Sequence, residues 1–228
     1  MINCMLHYVT DNPTDIVIDH NNDGIGDEVR IRIENGICYV IFKGSDDPLD
    51  WILNANIHVN AYGLHSGFHA EIRKMKNTIV RELVKLRPNR IHLIGHSRGG
   101  ALAYIFAKLY APELIWRPVI NLVTFGQPKC DTQPTAINNY TRIVNGNDPV
   151  PDLPLTRYKH AGHKIILGDR QTAWLRLGKI AIGLASRRWP NMADALRLAQ
   201  LDINDHDMSA YIAAAEREQL ALEGQGAY

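Results

Sequence analysis

The sequence predicts an α/β fold in which a mostly parallel sheet carries helices on both faces. Short apolar runs typical of buried strands recur from residue 91 onward, a long amphipathic helix precedes them, and a helical pattern separates the first two runs. This alternation of strand and helix is typical of a doubly wound sheet. A length of 228 residues suits one such domain, and we expect residues 1–228 to form a single domain.

An antiparallel hairpin is expected at the start of the sheet. Residues 29–44, VRIRIENGICYVIFKG, contain two strand-like stretches that meet at Asn35-Gly36. This dipeptide tolerates the positive φ angles that a tight hairpin turn requires. The sequence therefore predicts two antiparallel strands at the N-terminal side of the sheet.

The later elements follow from hydrophobic periodicity. Apolar residues recur at helical spacing over residues 65–87, and Pro88 ends the pattern. A second helical pattern covers residues 99–110. Four short apolar runs suit buried parallel strands: residues 91–94, 120–125, 140–144 and 164–167.

Composition excludes several classes of protein. The 25 Lys and Arg residues nearly balance the 24 Asp and Glu residues, so no overall field favours nucleic acid as a partner. Three cysteines at wide spacing predict neither a disulfide framework nor a metal-ligand set. We expect no cofactor, and the sequence leaves the oligomeric state open.

Targeting signals are not visible in the sequence. The N-terminal residues lack the basic start and apolar stretch of a secretory signal, and no apolar run approaches the length of a membrane span. We therefore expect either a cytoplasmic protein or one exported by a signal-independent route.

The strongest chemical signal is the stretch Gly95-His96-Ser97-Arg98-Gly99. It matches the G-x-S-x-G nucleophile elbow, and its context fits because a buried strand precedes it and a helix follows. Such a turn places the backbone amide of Arg98 at a helix N-terminus, where it can meet a developing oxyanion. The pattern favours Ser97 as a nucleophile over a solvated serine in a glycine-rich turn.

A serine nucleophile needs a base and an acid, which in this fold follow in the order Ser, Asp or Glu, then His. Asp148 directly follows a predicted strand and is favoured over Asp152, which lies farther along the same loop. Three histidines follow the elbow. His206, in a polar turn before a helical pattern, is favoured over His160 and His163, which lead directly into a strand.

Five stretches together resemble a known family. They are VIFKGSDDPLDW, HSGFH, IGHSRGGALA, TFGQPK with NDPVPDLP, and DHDMSAY, and they span residues 40–211. In this order they resemble the class 3 (fungal-type) lipases of the α/β-hydrolase fold. The resemblance implies the catalytic triad Ser97, Asp148 and His206, which agrees with the argument from chain order.

The resemblance also implies an oxyanion hole and a lid. Ser45 would donate to the oxyanion together with the amide of Arg98, and residues 46–56 would form the lid. The implied function is hydrolysis of carboxylic esters of lipids, with a lipid or small ester as substrate. Two alternatives stay open: a phospholipase acting on membrane lipid, and a non-catalytic scaffold that binds a lipid or a protein.

Two metal signals are weaker. Residues 19–27 match the first half of a calcium loop, but Arg30 occupies the position of its bidentate glutamate, so a polar turn is favoured. Two histidine pairs, His65 with His69 and His92 with His96, have zinc spacing, yet neither has a third ligand nearby. We therefore expect no metal site.

A basic segment follows the last predicted strand. Residues 172–186 have an amphipathic pattern, and Arg187-Arg188-Trp189 follow. A helix that covers the sheet is the favoured interpretation, because amphipathic helices usually face their own core. The alternative is a peripheral contact with an anionic lipid surface.

Overall fold

The computed structural model describes residues 2–19, 28–45, 58–146, 148–154, 157–168 and 204–225. Its sheet has seven strands, which lie side by side in chain order. They are β1 (Ile16–Asp19), β2 (Glu28–Glu34), β3 (Ile37–Phe42), β4 (Arg90–His96), β5 (Val119–Phe125), β6 (Tyr140–Asn145) and β7 (His163–Leu167). Strands β1 to β3 pair antiparallel, and β3 to β7 pair parallel. The predicted mostly parallel α/β sheet is confirmed.

The predicted hairpin joins β2 to β3. Asn35 and Gly36 form its turn with φ angles of 51° and 76°, as the dipeptide requires. The structure adds an element that the sequence did not predict, because β1 pairs with the outer side of β2. The antiparallel part of the sheet therefore has three strands rather than two.

In the part of the chain that the structure describes, four helices cover the two faces of the sheet: α1 (Ile2–Val9), α2 (Ser66–Leu86), α3 (Ser97–Leu109) and α4 (Met208–Gln225). Helices α2 and α3 pack on one face around a large buried cluster that includes Phe42, Ile79 and Phe106. Helices α1 and α4 contribute Met5 and Tyr211 to a second cluster on the opposite face. The prediction of helices on both faces is confirmed. None of the helices in the described ranges is long and apolar enough to cross a membrane.

Strand β7 is less buried than its apolar sequence predicted. It pairs with β6 on one side and is the last strand of the described sheet. Ile166 is 38% exposed, and only Leu167 of this strand is buried. The apolar run identified the strand correctly, but its place at the end of the sheet leaves most of its side chains accessible.

Two buried arginines of β2 attach α1 to the sheet. Arg30 donates to the carbonyl oxygen of Tyr8 at 2.6 Å and pairs with Asp11. Arg32 donates to the carbonyl oxygen of Thr10 at 2.6 Å and forms a two-pronged ion pair with Asp15, with both distances 2.8 Å. The positive charges lie at the C-terminal end of α1, where the helix dipole favours cations. Helix α1 is therefore held by electrostatics as well as by its apolar side chains.

The ion pair between Arg32 and Asp15 provides a test of this attachment. Both side chains are nearly inaccessible, 3% and 2% exposed, so Asp15→Asn leaves a buried guanidinium without its counter-ion. We expect the free energy of unfolding to fall by about 3–5 kcal/mol in urea titrations. Asp11→Asn is the matched control, because the Asp11 side chain is 94% exposed and its loss should change stability little. Equal effects of the two substitutions would contradict the assignment.

Candidate active site

Ser97 occupies a strained turn between β4 and α3. Its φ angle is 53°, a left-handed conformation that is unfavourable for a residue with a side chain. A Cβ atom on Gly99 would overlap with the Phe42 carbonyl oxygen, and one on Gly95 would overlap with the backbone at Gly99. The two flanking glycines therefore allow α3 to approach the ends of β3 and β4, and this packing holds Ser97 in the turn.

His206 lies between Ser97 and Asp148. Its Nε2 atom is 2.7 Å from the Ser97 hydroxyl oxygen, and its Nδ1 atom is 2.7 Å from Oδ2 of Asp148. Because the carboxylate accepts a hydrogen bond, Nδ1 carries the proton and Nε2 is left to accept one from Ser97. All three side chains are at most 1% exposed. The structure thus brings together the three residues that the sequence predicted.

Asp148 is held by three donors. Besides His206 Nδ1, the Tyr211 hydroxyl donates to Oδ2 at 2.5 Å, and the amide of Val150 donates to Oδ1 at 2.9 Å. The turn after β6 sets the position of Asp148, since its own amide donates to the carbonyl oxygen of Asn145 at 3.0 Å. These bonds orient both carboxylate oxygens and compensate for the complete burial of the group.

The short 3₁₀ turn Asn204–His206 is anchored to the ends of two strands. The imidazole of His96, at the end of β4, donates from Nε2 to the carbonyl oxygen of His206 at 2.6 Å. The amide group of Asn145, at the end of β6, donates to the carbonyl oxygen of Asp205 at 3.0 Å. Burial lowers the pKa of His96 to about 3, so this ring is neutral and keeps its anchoring role at neutral pH.

Ser45 follows a loop that lies directly against the elbow. A Cβ atom on Gly44 would lie 3.0 Å from the carbonyl oxygen of His96 and 3.4 Å from Cβ of Ser97. The amide of Gly44 donates to the Tyr8 hydroxyl of α1 at 2.9 Å. Helix α1 therefore supports the peptide that leads into Ser45, the predicted oxyanion donor.

Arg98 contributes a backbone amide in the first turn of α3 and a side chain that contacts α2. Its guanidinium lies 2.8 Å from the carboxylate of Glu71 on α2, and both side chains are largely buried, 12% and 15% exposed. The ion pair joins the elbow to the neighbouring helix. The side chain of His96, the residue before α3, makes no capping hydrogen bond to the first turn.

The alternative acid and bases lie elsewhere. Asp152 ends the 3₁₀ turn Val150–Asp152, while Asp148 makes the contact with His206. The half-buried His160 donates from Nε2 to the carbonyl oxygen of Pro151 at 2.7 Å. His163 is exposed at the start of β7. The geometry therefore favours Asp148 and His206 over these three residues.

The histidine pairs with zinc spacing have other partners. His69 bonds to Asn60 and Tyr110, and His92 bonds to Asn121. Within the described ranges, no group of three His, Cys, Asp or Glu side chains is placed to hold a metal ion. Residues 20–27 of the calcium-like loop, the implied lid at 46–56 and the basic segment at 172–189 lie outside the described residues.

Sequence reasoning missed the residues that support the triad. Tyr211 lies within the DHDMSAY stretch, one helical turn into α4, but nothing local marks its contact with Asp148. Gly126 lies within TFGQPK. A turn signal at this glycine could have suggested its positive φ angle of 58°, but not its neighbours. A Cβ atom there would lie 2.8 Å from both Oδ2 of Asp148 and Cε1 of His206. Gly126 therefore leaves room for the contact between acid and base.

A profile of the family described as lipase (class 3) matches residues 39–158, slightly more than half of the chain. The chain belongs to this family. Secreted mono- and diacylglycerol lipase A of Penicillium cyclopium is 29% identical over 165 residues, which cover 64% of this chain and 48% of that protein. Lipase A of Sodiomyces alcalophilus is 31% identical over 122 residues, 44% of this chain and 29% of that protein. The chain thus spans less than half the length of these relatives.

Solved structures show the same fold. The triacylglyceride lipase of Rhizomucor miehei superimposes with a TM-score of 0.55 and 20% identity, over 69% of this chain and 66% of the other. At this identity the likeness concerns the fold alone. It confirms the α/β-hydrolase fold that the resemblance implied.

Substitution of Gly126 tests the steric role of this position. In an assay of the ester hydrolysis that we propose below, Gly126→Ala should lower kcat/KM by about 100-fold or more, because the methyl group displaces His206 from Asp148. Gly168→Ala is the matched control: its φ angle of 71° imposes a similar strain, yet nothing lies within 4 Å of an added Cβ. Both variants should lose some stability, and only the first should lose activity. A similar loss of activity in both would contradict the steric explanation.

Buried histidines predict a stability that falls in mild acid. Burial lowers the pKa of His65 to about 4 and that of His96 and His160 to about 3, whereas an unfolded histidine titrates near 6.5. As the pH falls below about 6.5, the unfolded state binds protons that the folded state excludes, so the free energy of unfolding decreases. Each histidine contributes up to about 1.4 kcal/mol per pH unit in this window.

Urea unfolding between pH 7 and pH 5 measures this slope. His160→Gln should make it shallower by about one proton, since the unfolded chain then has one histidine fewer to protonate. His163→Gln, at an exposed position, should leave the slope nearly unchanged. The same reduction in both variants would contradict the effect of burial.

Proposed function

We propose that this chain hydrolyses carboxylic esters of lipids through Ser97, Asp148 and His206. The observation that carries the proposal is that Ser97 and Asp148 lie 2.7 Å from opposite nitrogen atoms of one imidazole. This is the arrangement in which a hydroxyl can lose its proton to a base that an acid holds in the correct tautomer. Membership of the class 3 lipase family supports the same reaction.

In the first half of the reaction, Ser97 Oγ attacks the ester carbonyl carbon while its proton moves to His206 Nε2. The imidazolium ion is stabilised by Asp148, which holds Nδ1 at 2.7 Å. Negative charge develops on the former carbonyl oxygen. The amide of Arg98 and a donor of Ser45 are assigned to this oxyanion, because both belong to backbone that meets at the elbow.

Collapse of the tetrahedral intermediate releases the alcohol, which takes the proton from His206 Nε2. The acyl group stays on Ser97 as an ester. A water molecule then attacks the acyl carbon, again losing its proton to Nε2, and the fatty acid leaves as Ser97 recovers its proton. No step requires a cofactor.

The substrate class is inferred from the relatives. One is named as a mono- and diacylglycerol lipase, and another is named as a lipase. We therefore assign the substrate of this chain as a lipid ester with a carboxylic acyl group. A phospholipid and a neutral acylglycerol present the same carbonyl group to Ser97, and the assay below distinguishes them.

A series of p-nitrophenyl esters from short to long chains, with phospholipid and acylglycerol vesicles alongside, tests the proposal. Ser97→Ala should remove essentially all turnover and leave the thermal unfolding profile unchanged. Asp148→Asn should lower kcat by several orders of magnitude, because the amide no longer selects the tautomer with the proton on Nδ1.

Asp152→Asn is the matched control for the acid. Asp152 lies in the same loop and carries the same charge, so a mild effect is expected if Asp148 is the orienting acid. The opposite order of effects would overturn the assignment. Turnover of every substrate by Ser97→Ala at the wild-type rate would overturn the proposed function, and the complete absence of turnover by folded wild-type protein would favour a binding scaffold.

A further inference from the structure

A pocket lies at the far end of α3 from Ser97. It is a surface pocket of about 420 Å³ between the first half of α2 and the residues that follow α3, and it is lined by Tyr62, His69, Arg73, Lys76, Tyr110 and Glu113 among others. Ser97 begins α3 and Tyr110 directly follows it. Since a helix rises 1.5 Å per residue, about 20 Å separate this Tyr110 pocket from the elbow. It is distinct from the proposed active site.

A chain of hydrogen bonds fixes which atoms donate in the Tyr110 pocket. The side-chain oxygen of Asn60 accepts from the amides of Tyr62 and Leu64 at 2.9 and 3.1 Å, so the NH₂ group of Asn60 faces His69. It lies 2.7 Å from Nδ1 of His69, which therefore accepts. The proton of the neutral His69 ring is on Nε2 and is donated to the Tyr110 hydroxyl oxygen at 3.2 Å.

The Tyr110 hydroxyl is consequently left with a proton to donate. It accepts from His69, and in the described part of the chain it has no acceptor of its own. Tyr110 is only 6% exposed, and it lines the pocket. Because the hydroxyl lines an open pocket, its proton is accessible to solvent, and an acceptor that binds in the pocket can take the place of water. Burial, together with Arg73 and Lys76, lowers the pKa of His69, which keeps this direction of donation at neutral pH.

Two cations line the same pocket. Arg73 and Lys76 follow His69 by four and seven residues, so all three lie on one face of α2. The Lys76 ammonium lies 4.8 Å from the centre of the Tyr110 ring. Neither cation forms an ion pair within the described ranges. The acidic residue of the lining is Glu113, so the pocket combines two positive charges, one negative charge and a hydroxyl donor.

We propose that the Tyr110 pocket binds a phosphoryl group, with Tyr110 donating a hydrogen bond and Arg73 and Lys76 pairing with the remaining oxygens. A phosphate offers several strong acceptor oxygens on one centre and up to two negative charges, which match the donors and charges present. Glu113 weakens the site by repulsion. The same group is carried by free inorganic phosphate and by the headgroup of an anionic lipid, and the experiment separates these two sources.

The first arm titrates inorganic phosphate into the full chain at low salt and follows binding by calorimetry. Arg73→Gln should weaken binding about tenfold, and Tyr110→Phe should weaken it several-fold. Lys74→Gln is the matched control, because it removes the same charge from an exposed position next to Arg73 that does not line the pocket. Its effect should be slight.

Glu113→Gln shows whether a loss of phosphate binding in the other variants reflects misfolding. Removal of the repulsive carboxylate should tighten phosphate binding several-fold, a gain that a destabilised protein would not show. The thermal unfolding profile of every variant is recorded in parallel. Equal losses in Arg73→Gln and Lys74→Gln, or no gain in Glu113→Gln, would overturn the proposal.

The second arm uses vesicles of phosphatidylcholine with and without phosphatidic acid, and Ser97→Ala as the parent protein so that no lipid is hydrolysed. If the protein is retained on vesicles with phosphatidic acid, and this retention depends on Arg73 and Tyr110, the phosphoryl group is that of a lipid headgroup. Binding of inorganic phosphate without such retention assigns it to a free phosphate. Absence of both, in a folded protein, refutes the site.

Discussion

The close approach of α3 to the ends of β3 and β4 is the constraint on which the rest of the site depends. It is possible only because Gly95 and Gly99 have no side chains, and it forces Ser97 into a left-handed conformation at a φ angle of 53°. That strain, of the order of 1–3 kcal/mol for such a residue, is offset by the packing of α3 on the sheet, where Ala101 to Phe106 are all buried. The turn places the hydroxyl 2.7 Å from His206 Nε2 and puts the amide of Arg98 in the first turn of α3. The proposed nucleophile and one proposed oxyanion donor thus depend on the same backbone feature.

The loops that carry His206 and Asp148 must be positioned as accurately as the elbow itself. Hydrogen bonds, several of them from polar side chains at strand ends, fix these loops, whereas packing fixes the elbow. His96 and Asn145 each donate to a carbonyl oxygen of the turn that carries His206. Tyr211 and the Val150 amide hold the two oxygens of Asp148. Because these groups are buried, an error in position would leave donors or acceptors unpaired, at a cost comparable to a lost hydrogen bond each. The arrangement is therefore specified by the requirement that every buried polar group of the network has a partner.

Local signals explain what could be predicted from the sequence. Apolar runs and helical periodicity located β2 to β7, α2 and α3, and the two glycines around Ser97 located the elbow, since each signal lies within a few residues of the feature that it describes. Helix α1 and strand β1 were missed because they have eight and four residues, too few for a clear period, and because Arg30 and Arg32 determine where they dock. The supporting residues were missed for the same reason. Asp148 and His206 were found through their order after Ser97 in the chain, whereas the bond from His96 to His206 joins residues 110 positions apart and leaves no local mark.

The part of the chain before the family match is structurally continuous with the proposed site. The match begins at residue 39, within β3, yet the amide of Gly44 donates to a hydroxyl supplied by Tyr8. The backbone amide of Lys43 still donates to the carbonyl oxygen of Glu28 on β2, so the chain leaves the sheet after Lys43. The next amide, that of Gly44, is the one that donates to Tyr8. Arg30 in turn holds the carbonyl oxygen of Tyr8. In the proposed mechanism, Ser45 donates to the oxyanion, and an oxyanion hole is effective only when its donors are fixed before the charge develops. Helix α1 and the elbow glycines therefore have the same role in the proposed mechanism. The glycines fix the amide of Arg98, and helix α1 fixes the segment that leads to Ser45, the other donor to the oxyanion.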